Sequence, residues 1–447
     1  MWKKGLLDIK DWRTTRLLTV GFALVILTGT LLLMLPISSH SELSFLDALF
    51  TSTSATCVTG LSLFDTYTTL TLFGQIVLLV LIQVGGLGFI MVVVFFSLAT
   101  HRRIGLRERS LLADGVGSLQ LTGVVRMARR IILGTALFEG LGTFLLATRF
   151  VPRFGFAKGL WISFFHAVSA FCNAGFDLMG ILKPSSSLTL YYDDPVVVIT
   201  IGMLIVIGGI GFVVWTDLMD CGFCIKKMDY HTKVVIVSTL ILITGGAVLF
   251  FITEKNASMA GMNISDRMLS SFFQSVTPRT AGFNTISMSS LSDGGKLLTM
   301  FLMFIGAAPG GTGGGIKITT FIVIIATAYA SQTNNKDTVV GQHRIDTDII
   351  KRAFCSVTSY LGLTLIGTFI VCIQGIELTD SAFECISAIG TVGLSAGVTS
   401  SMTGISKLVL VLLMYTGRLG SLTVFLAMSK SECKGGFRNP VGKLLVG

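Results

Sequence analysis

The feature that most constrains this chain is a series of long apolar runs that carry almost no charge. They lie near residues 17–36, 70–99, 131–148, 195–219, 233–252, 297–306, 316–330, 354–373 and 406–428. A bilayer requires about 20 consecutive apolar residues of each spanning helix. Charged residues make up only 13% of the 447 positions, where soluble proteins have about 25%. The runs therefore predict an all-α membrane protein and exclude an ordinary soluble enzyme.

Four shorter apolar pieces alternate with these runs, near residues 44–56, 160–171, 268–277 and 379–389. At roughly 10–13 residues each, they are too short to cross a bilayer as helices and are typical of re-entrant segments. Each leads to a glycine, and Gly60, Gly175, Gly282 and Gly393 are spaced by 115, 107 and 111 residues. The chain is therefore predicted to contain four tandem repeats of helix, short pore helix, glycine loop and helix, with the boundaries 1–101, 102–228, 229–335 and 336–447.

The distribution of cations predicts the orientation in the membrane, because cytoplasmic loops are enriched in Lys and Arg. With the N-terminus inside, the inner segments hold 23 of the 34 Lys and Arg residues. We expect eight crossings of the cell membrane with both termini in the cytoplasm. The net charge of +10 then describes one side of a membrane, and no nucleic-acid partner is needed to explain it.

The four glycine loops indicate a shared polar axis, since irregular backbone at membrane depth is tolerated only inside protein or along an aqueous cavity. Equivalent loops around one axis can present rings of carbonyl oxygens that replace the hydration shell of a cation. Glycine leaves no side chain to block such a lumen. The carbonyl end of each short helix would also favour a cation through its dipole. This pattern predicts a pseudo-fourfold cation pore within a single chain.

Several segments carry a family resemblance. Thr391-Val392-Gly393 is similar to a K⁺-channel filter strand, and the fourfold pattern, LMLPIS at 33–38, TPRTAGFN at 277–284 and Arg418 resemble the Trk/Ktr/HKT superfamily of potassium transporters, most closely its Ktr membrane subunits. The resemblance implies a K⁺ filter made of Val58, Thr59, Gly60, Asn173, Ala174, Gly175, Thr280, Ala281, Gly282, Thr391, Val392 and Gly393. Plant members of the superfamily that transport Na⁺ have serine at the position of the first filter glycine, so glycine at residue 60 favours K⁺. A Na⁺-coupled K⁺ transporter or a less selective cation pore remains the alternative.

The glycine-rich stretch 306–315 breaks the last helix of the third repeat without a re-entrant piece beside it. A nucleotide loop would need glycine directly before a lysine that is followed by Ser or Thr, and the sequence here is Gly-Ile-Lys-Ile. The resemblance implies an intramembrane gate formed by Gly310, Gly311, Thr312, Gly313, Gly314, Gly315 and Lys317, with Arg418 obstructing the path below the filter. The alternatives are a merely structural break for the stretch and a buried ion pair for Arg418.

Several other polar residues have more than one possible role. Asp47 and Glu384, on the first and fourth short helices, attract cations to the mouth or else cap helices or pair with Arg279. His166 is interpreted as a packed, hydrogen-bonded core residue and not as a proton relay. A membrane enzyme or carrier, the rival functional class, would need converging acid, base or metal-binding groups, and these are sparse in the spans. We therefore predict no enzymatic activity, no transition metal and no cofactor on this chain.

The cytosolic loops are too short to form a soluble nucleotide-binding domain of about 100–150 residues, so regulation is expected from another chain. The resemblance implies a homodimer, surrounded by lipid, whose partner is a cytosolic ring of Rossmann-type (RCK/KTN) subunits that bind ATP or ADP. The inner loops 101–109 and 226–233 and the tail 430–447 are the surfaces available for these contacts. A disordered tail is the alternative.

Overall fold

The computed structural model describes residues 14–88, 91, 123–222 and 224–420. This part of the chain forms fifteen α-helices, a few single 3₁₀ turns and one small β-hairpin. The helices are α1 (Thr14–Leu33), α2 (Phe45–Thr56), α3 (Thr66–Thr69), α4 (Leu72–Leu87), α5 (Val124–Phe154), α6 (Phe156–Phe171), α7 (Pro195–Gly209), α8 (Phe212–Cys221), α9 (Tyr230–Thr253), α10 (Ile264–Val276), α11 (Asp293–Phe304), α12 (Ile318–Gln332), α13 (Thr347–Ile373), α14 (Leu378–Gly390) and α15 (Gly404–Leu419). The hairpin pairs β1 (Val339–Val340) with β2 (His343–Arg344) in antiparallel register and connects α12 to α13.

Four helices of the described chain are long and apolar enough to cross a membrane: α1, α5, α9 and α13, here called the long helices. They confirm as helical the predicted runs near 17–36, 131–148, 233–252 and 354–373. Many of their large apolar side chains are exposed, among them Leu31, Phe144 and Phe369, each more than 60% exposed. Exposed apolar side chains on helices of this length suit contact with lipid, so the chain is a multi-pass membrane protein.

The short helices α2, α6, α10 and α14 follow the long ones and correspond to the four predicted short pieces. Each is buried over much of its length and ends directly before a glycine loop. Their last turns are rich in Ser, Thr and Ala, which allow close packing between helices in a membrane. Two predicted boundaries need correction, because α6 begins at Phe156 and not near residue 160, and α10 begins at Ile264 and not near residue 268.

The helices that return after each glycine loop, α4, α7, α11 and α15, are here called the return helices. Each begins at a capping side chain that accepts a hydrogen bond from the first turn, namely Thr71, Asp194, Ser292 and Thr403. The predicted run over 195–219 is helical but broken, since α7 and α8 meet at an angle of 93°. Stretch 306–315 is therefore not the only place in the described chain where the helix after a glycine loop is broken.

The bend between α7 and α8 has a steric cause. A β-carbon on Gly208 would collide with the carbonyl oxygen of Phe171, and Gly211 has φ +99°. Glycine at 208 lets the backbone pass the end of α6, and glycine at 211 lets it turn at positive φ. The other return helices also end at or near their glycine clusters.

The return helices join neighbouring segments in a cyclic order. Helix α4 contacts α6, α7 contacts α10, α11 contacts α14, and α15 contacts α2. Each return helix thus packs against the short helix of the next segment, and the last packs against the first. The largest buried apolar cluster lies along α4, α5, α6 and α7 and includes Phe150, Phe165 and Phe171. This arrangement brings all four glycine loops to the centre of the molecule.

Candidate ion-conduction site

The four glycines of the predicted filter lie in a closed ring, here called the glycine ring. A β-carbon built on Gly60 would lie 2.5 Å from the carbonyl oxygen of Ala174, and one built on Gly175 would lie 2.7 Å from the carbonyl oxygen of Ala281. A β-carbon on Gly282 would lie 2.7 Å from the carbonyl oxygen of Val392, and one on Gly393 would collide with the carbonyl oxygen of Thr59. Each glycine therefore abuts the carbonyl that precedes the next glycine, and the fourth abuts the first. A side chain at any of these positions would displace the adjacent filter backbone.

The backbone of the four loops is unusual in the same way. All four glycines have positive φ, and so have the residues two positions earlier, Val58 at 57°, Asn173 at 60°, Thr280 at 73° and Thr391 at 52°. Positive φ in a β-branched residue is a genuine outlier. Such strain persists only where the surroundings enforce it, and it concentrates at functional sites. The loops are thus held in one shape by their packing.

Hydroxyl groups at the end of each short helix hold these loops. The side chains of Ser54 and Ser387 accept hydrogen bonds of 3.1 Å from the backbone N–H of Gly60 and Gly393. Ser169 donates to the carbonyl of Phe176 at 2.7 Å. Thr277 donates to the carbonyl of Phe283 at 2.5 Å. The sequence reasoning missed these residues, although a serine six positions before the glycine recurs in three of the four segments and could have been found.

A polar cavity of about 290 Å³ opens on one side of the glycine ring. All four glycines line it, together with Asp65, Asp177 and several backbone and hydroxyl groups. Burial raises the pKa of Asp177 from 3.8 to about 7, although the N–H of Met179 donates to its carboxylate at 2.9 Å. Asp65 accepts from the N–H of Ser185 at 2.9 Å and so ties two of the cavity loops together.

On the other side of the ring, residues 305–317 form a loop that contacts the other segments. The N–H groups of Ala308 and Thr312 donate to the carbonyls of Gly209 and Gly208 at 3.0 and 3.1 Å. The N–H of Gly314 donates to the hydroxyl of Thr391 at 3.1 Å, directly at the fourth filter strand. The predicted gate residues therefore lie next to the glycine ring, on the side away from the polar cavity.

Two positively charged side chains, those of Lys317 and Arg418, hold this loop. Lys317 donates to the carbonyl of Gly313 at 2.7 Å. Arg418 donates to the carbonyl of Thr312, and also to those of Gly85 and Gly86 at 2.5 and 3.1 Å. Arg418 has no carboxylate partner within the described residues. The described part of the chain therefore shows no buried ion pair at Arg418. Its guanidinium instead joins α15, the end of α4 and the loop.

The remaining candidate residues have structural contacts of their own. Asp47 pairs with Lys407 at 2.8 Å and hydrogen-bonds Ser44 at the start of α2, so the pairing with Arg279 is wrong. Glu384 accepts from Ser395, the N–H of Ala396 and Thr399, which fixes the loop after the fourth glycine.

Two buried side chains complete the surroundings of the filter. Arg279 is buried and reaches the hydroxyl of Thr239 at 3.3 Å. His166 is fully buried, with one ring nitrogen 2.8 Å from the carbonyl of Ile162 and the other accepting from the N–H of Leu178. His166 is therefore the packed, hydrogen-bonded core residue that was expected.

Comparison with known proteins identifies the family. The sequence profile of the TrkH family, described as cation transport proteins, matches residues 13–435. The chain belongs to the TrkH family of cation transport proteins. This TrkH-family chain is 39% identical over 435 residues to Ktr system potassium uptake protein B of Bacillus subtilis (strain 168), covering 97% of this chain and 96% of the relative. It is 36% identical over 444 residues to the potassium/sodium uptake protein NtpJ of Enterococcus hirae, covering 97% of each.

The fold agrees with this assignment. The crystal structure of the potassium transporter TrkH from Vibrio parahaemolyticus superposes with a TM-score of 0.75 over 96% of this chain and 86% of that one, at 17% identity. The family match and the two relatives confirm the resemblance to the Trk/Ktr/HKT superfamily. The family consists of cation transporters, so the prediction that this chain is a membrane transporter and not an enzyme is also confirmed.

Proposed function

We propose that this chain is the ion-translocating membrane subunit of a K⁺ uptake system. K⁺ passes through a filter formed by residues 58–60, 173–175, 280–282 and 391–393. The observation that carries the proposal is the glycine ring, in which each glycine abuts the carbonyl before the next one. Carbonyl groups gathered around one axis replace the water that a K⁺ ion loses on entry. The polar cavity outside the ring supplies hydrated ions to it.

Potassium is favoured by the names of the relatives and by glycine at all four ring positions. The relative from Bacillus subtilis is a potassium uptake protein, and the one from Enterococcus hirae is named for potassium and sodium. That second name favours an alternative, in which this chain is a Na⁺-coupled K⁺ transporter or a less selective monovalent cation pore. Flux of each ion measured alone and in mixtures separates the two.

The proposed architecture has four tandem repeats with pseudo-fourfold symmetry around one pore, with the boundaries 1–101, 102–228, 229–335 and 336–447. The cyclic contacts between return helices and short helices support it. The chain crosses the membrane eight times, and both termini are cytoplasmic. The concentration of Lys and Arg in the proposed inner segments supports this orientation.

The loop 306–315, with Lys317 and Arg418, is the proposed gate below the filter. The positively charged side chains of Lys317 and Arg418 lie on the path that K⁺ would take from the glycine ring to the cytoplasm. A fixed positive charge opposes the entry of a K⁺ ion. The loop is held by hydrogen bonds to backbone carbonyls and to Thr391, contacts that a small displacement can break and remake.

In this proposal, a partner protein regulates ion transport through the chain. The relative from Bacillus subtilis is named as a component of a Ktr system, which supports a further subunit. We propose a homodimer that binds a cytosolic ring of Rossmann-type (RCK/KTN) subunits carrying ATP or ADP. Docking uses the inner loops 101–109 and 226–233 and the tail 430–447. The first and last of these lie outside the described residues.

Ion flux into proteoliposomes tests the filter. We expect K⁺ uptake by the purified protein and a loss of K⁺ over Na⁺ discrimination in Gly60→Ser, because the new side chain meets the carbonyl of Ala174 at φ +94°. Strain of about 1–3 kcal/mol is typical for such a position, and we expect the selectivity ratio to fall about tenfold. Gly140→Ser is the matched control, since a β-carbon there has no neighbour within 4 Å.

Two results would contradict the proposal. The first is a folded, monodisperse protein that passes neither K⁺ nor Na⁺ under any gradient. The second is a Gly60→Ser variant of normal size and yield whose K⁺/Na⁺ ratio equals that of Gly140→Ser.

A further inference from the structure

Glu139 is an acidic residue in the middle of α5, and the proposed conduction path does not use it. Its side chain is only 7% exposed, and it forms no ion pair within the described part of the chain. One carboxylate oxygen accepts a hydrogen bond of 3.4 Å from the side-chain amide of Gln83, and the other has no partner there. An acidic residue inside a membrane helix is costly and is usually retained for a function.

Gln83 connects this carboxylate to the end of a short helix. Its amide nitrogen donates to Glu139, and its amide oxygen accepts from the thiol of Cys172 at 3.4 Å. Cys172 is the C-cap of α6, three residues before Gly175. Because a carboxylate can only accept and the amide carries a donor and an acceptor end, Glu139 determines which way the Gln83 amide points.

The same turn of α4 carries the two carbonyls that bind Arg418. Gly85 and Gly86 accept from its guanidinium at 2.5 and 3.1 Å. A β-carbon on Gly86 would lie 2.6 Å from the sulfur of Cys172, so the turn fits closely against the end of α6. The last turn of α4 is therefore held by Glu139 through Gln83 on one side and by Arg418 on the other.

We propose that Glu139 is a positioning residue for Arg418. By orienting Gln83 it holds the last turn of α4 in the place where the carbonyls of Gly85 and Gly86 retain the guanidinium beneath the glycine ring. Glu139 acts as a hydrogen-bond acceptor and never meets the transported ion. This inference rests on the proposed role of Arg418 as an obstruction in the ion path.

Basal K⁺ flux in proteoliposomes without any regulatory subunit tests the role of Glu139. Glu139→Leu is expected to raise basal flux about fivefold, the effect of about one lost hydrogen bond. The K⁺/Na⁺ ratio stays unchanged because the glycine ring is not touched. Glu139→Gln keeps an oxygen that can accept from Gln83, so this variant is expected to have the basal flux of the unmutated protein. Gln83→Leu reproduces the effect by a second route, which keeps the test valid if Glu139→Leu does not fold.

Thr135→Val is the matched control, because Thr135 is buried one turn earlier on α5 and its hydroxyl has no hydrogen-bond partner in the described chain. Combination with Arg418→Ala shows whether the two residues act together. Arg418→Ala alone should raise basal flux, and adding Glu139→Leu should then change nothing further.

The outcomes separate this inference from the proposed function. If Arg418→Ala raises flux but Glu139→Leu and Gln83→Leu match Thr135→Val, the positioning role is wrong and the gate stands. Additive effects of Glu139→Leu and Arg418→Ala, or a Glu139→Gln variant that leaks like Glu139→Leu, would equally overturn it. If Arg418→Ala leaves basal flux unchanged, the obstructing role of Arg418 is itself wrong.

Discussion

At the scale of single residues, Ser54 and Ser387 occupy equivalent places in the first and fourth segments. Each is six positions before its ring glycine and binds that glycine's N–H through the side chain, while its own carbonyl accepts at 2.8 Å from the residue before the glycine. Two bonds to one serine therefore fix the backbone of each ring glycine and of the residue before it. In the proposed filter, these hydroxyl groups support the backbone without contacting the ion.

Ser54→Ala should consequently reduce selectivity without abolishing transport. The N–H of Gly60 loses its acceptor at a cost of about 1–3 kcal/mol. We expect a several-fold lower K⁺/Na⁺ flux ratio and a lower melting temperature. Ser238→Ala is the control, because that hydroxyl bonds only within its own helix, to the carbonyl of Val234. Equal flux ratios in the two variants would contradict the role of Ser54.

Asp177 provides a pH dependence at the outer cavity. Burial raises the pKa of its carboxyl to about 7, so the group is mostly charged at pH 8 and mostly neutral at pH 6. A negative charge at the mouth attracts cations. We therefore expect K⁺ uptake at low K⁺ concentration to fall as external pH decreases from 8 to 6.

Asp177→Asn removes the titrating group and should give the low-pH uptake rate at every external pH between 6 and 8. The measurement is initial uptake of K⁺ at fixed internal pH. A variant that keeps the original pH profile would assign the titration to another group.

At the scale of secondary-structure elements, the loop 305–317 has backbone contacts with several segments at once. Deletion of residues 310–314 removes the bonds to Gly208 and Thr391 and the carbonyls that hold Lys317 and Arg418. Basal K⁺ flux should rise, by about tenfold if roughly 1.4 kcal/mol of obstruction is lost. Its dependence on any regulatory subunit should weaken.

Gly140→Ser serves as the control for basal flux, and the K⁺/Na⁺ ratio is measured as well, because the lost bond from Gly314 reaches Thr391 in the fourth filter strand. Basal flux at the original level, in a protein of normal size on gel filtration, would show that the loop is only a structural break.

The elements themselves were largely predictable. Length and polarity placed the four short helices within a few residues of α2, α6, α10 and α14, because a segment of that length cannot cross a bilayer. The 93° bend after α7 was not predicted. The apolar run continues through Gly208 and Gly211, and hydropathy does not register that a carbonyl of another helix lies against the first of them.

At the scale of the whole molecule, we expect an assembly of two copies of this chain with a nucleotide-binding partner. Purification from the native membrane in mild detergent should recover a cytosolic nucleotide-binding protein, and K⁺ flux should respond to ATP and ADP in its presence. Truncation after Ser429 should weaken dimer or partner association, measured by light scattering and copurification. Truncation after Lys443 retains most of the tail and is the matched control.

A monodisperse monomer would contradict this arrangement if its flux is indifferent to ATP, to ADP and to any co-expressed cytosolic subunit. A truncated protein that retains both its partner and its dimeric mass would instead remove the tail from the interface.

The sequence by itself determined the membrane class, the four short helices and the four glycines, because each follows from the length and composition of a local segment. It also indicated the ion, through motifs shared with a family. Only the tertiary structure decided the cyclic order of the glycine ring, the hydroxyl supports and the contact of Arg418 with Gly85, 333 positions away. In a membrane protein the lipid-facing and buried faces of a helix are both apolar, so hydropathy cannot tell which residues of distant helices meet.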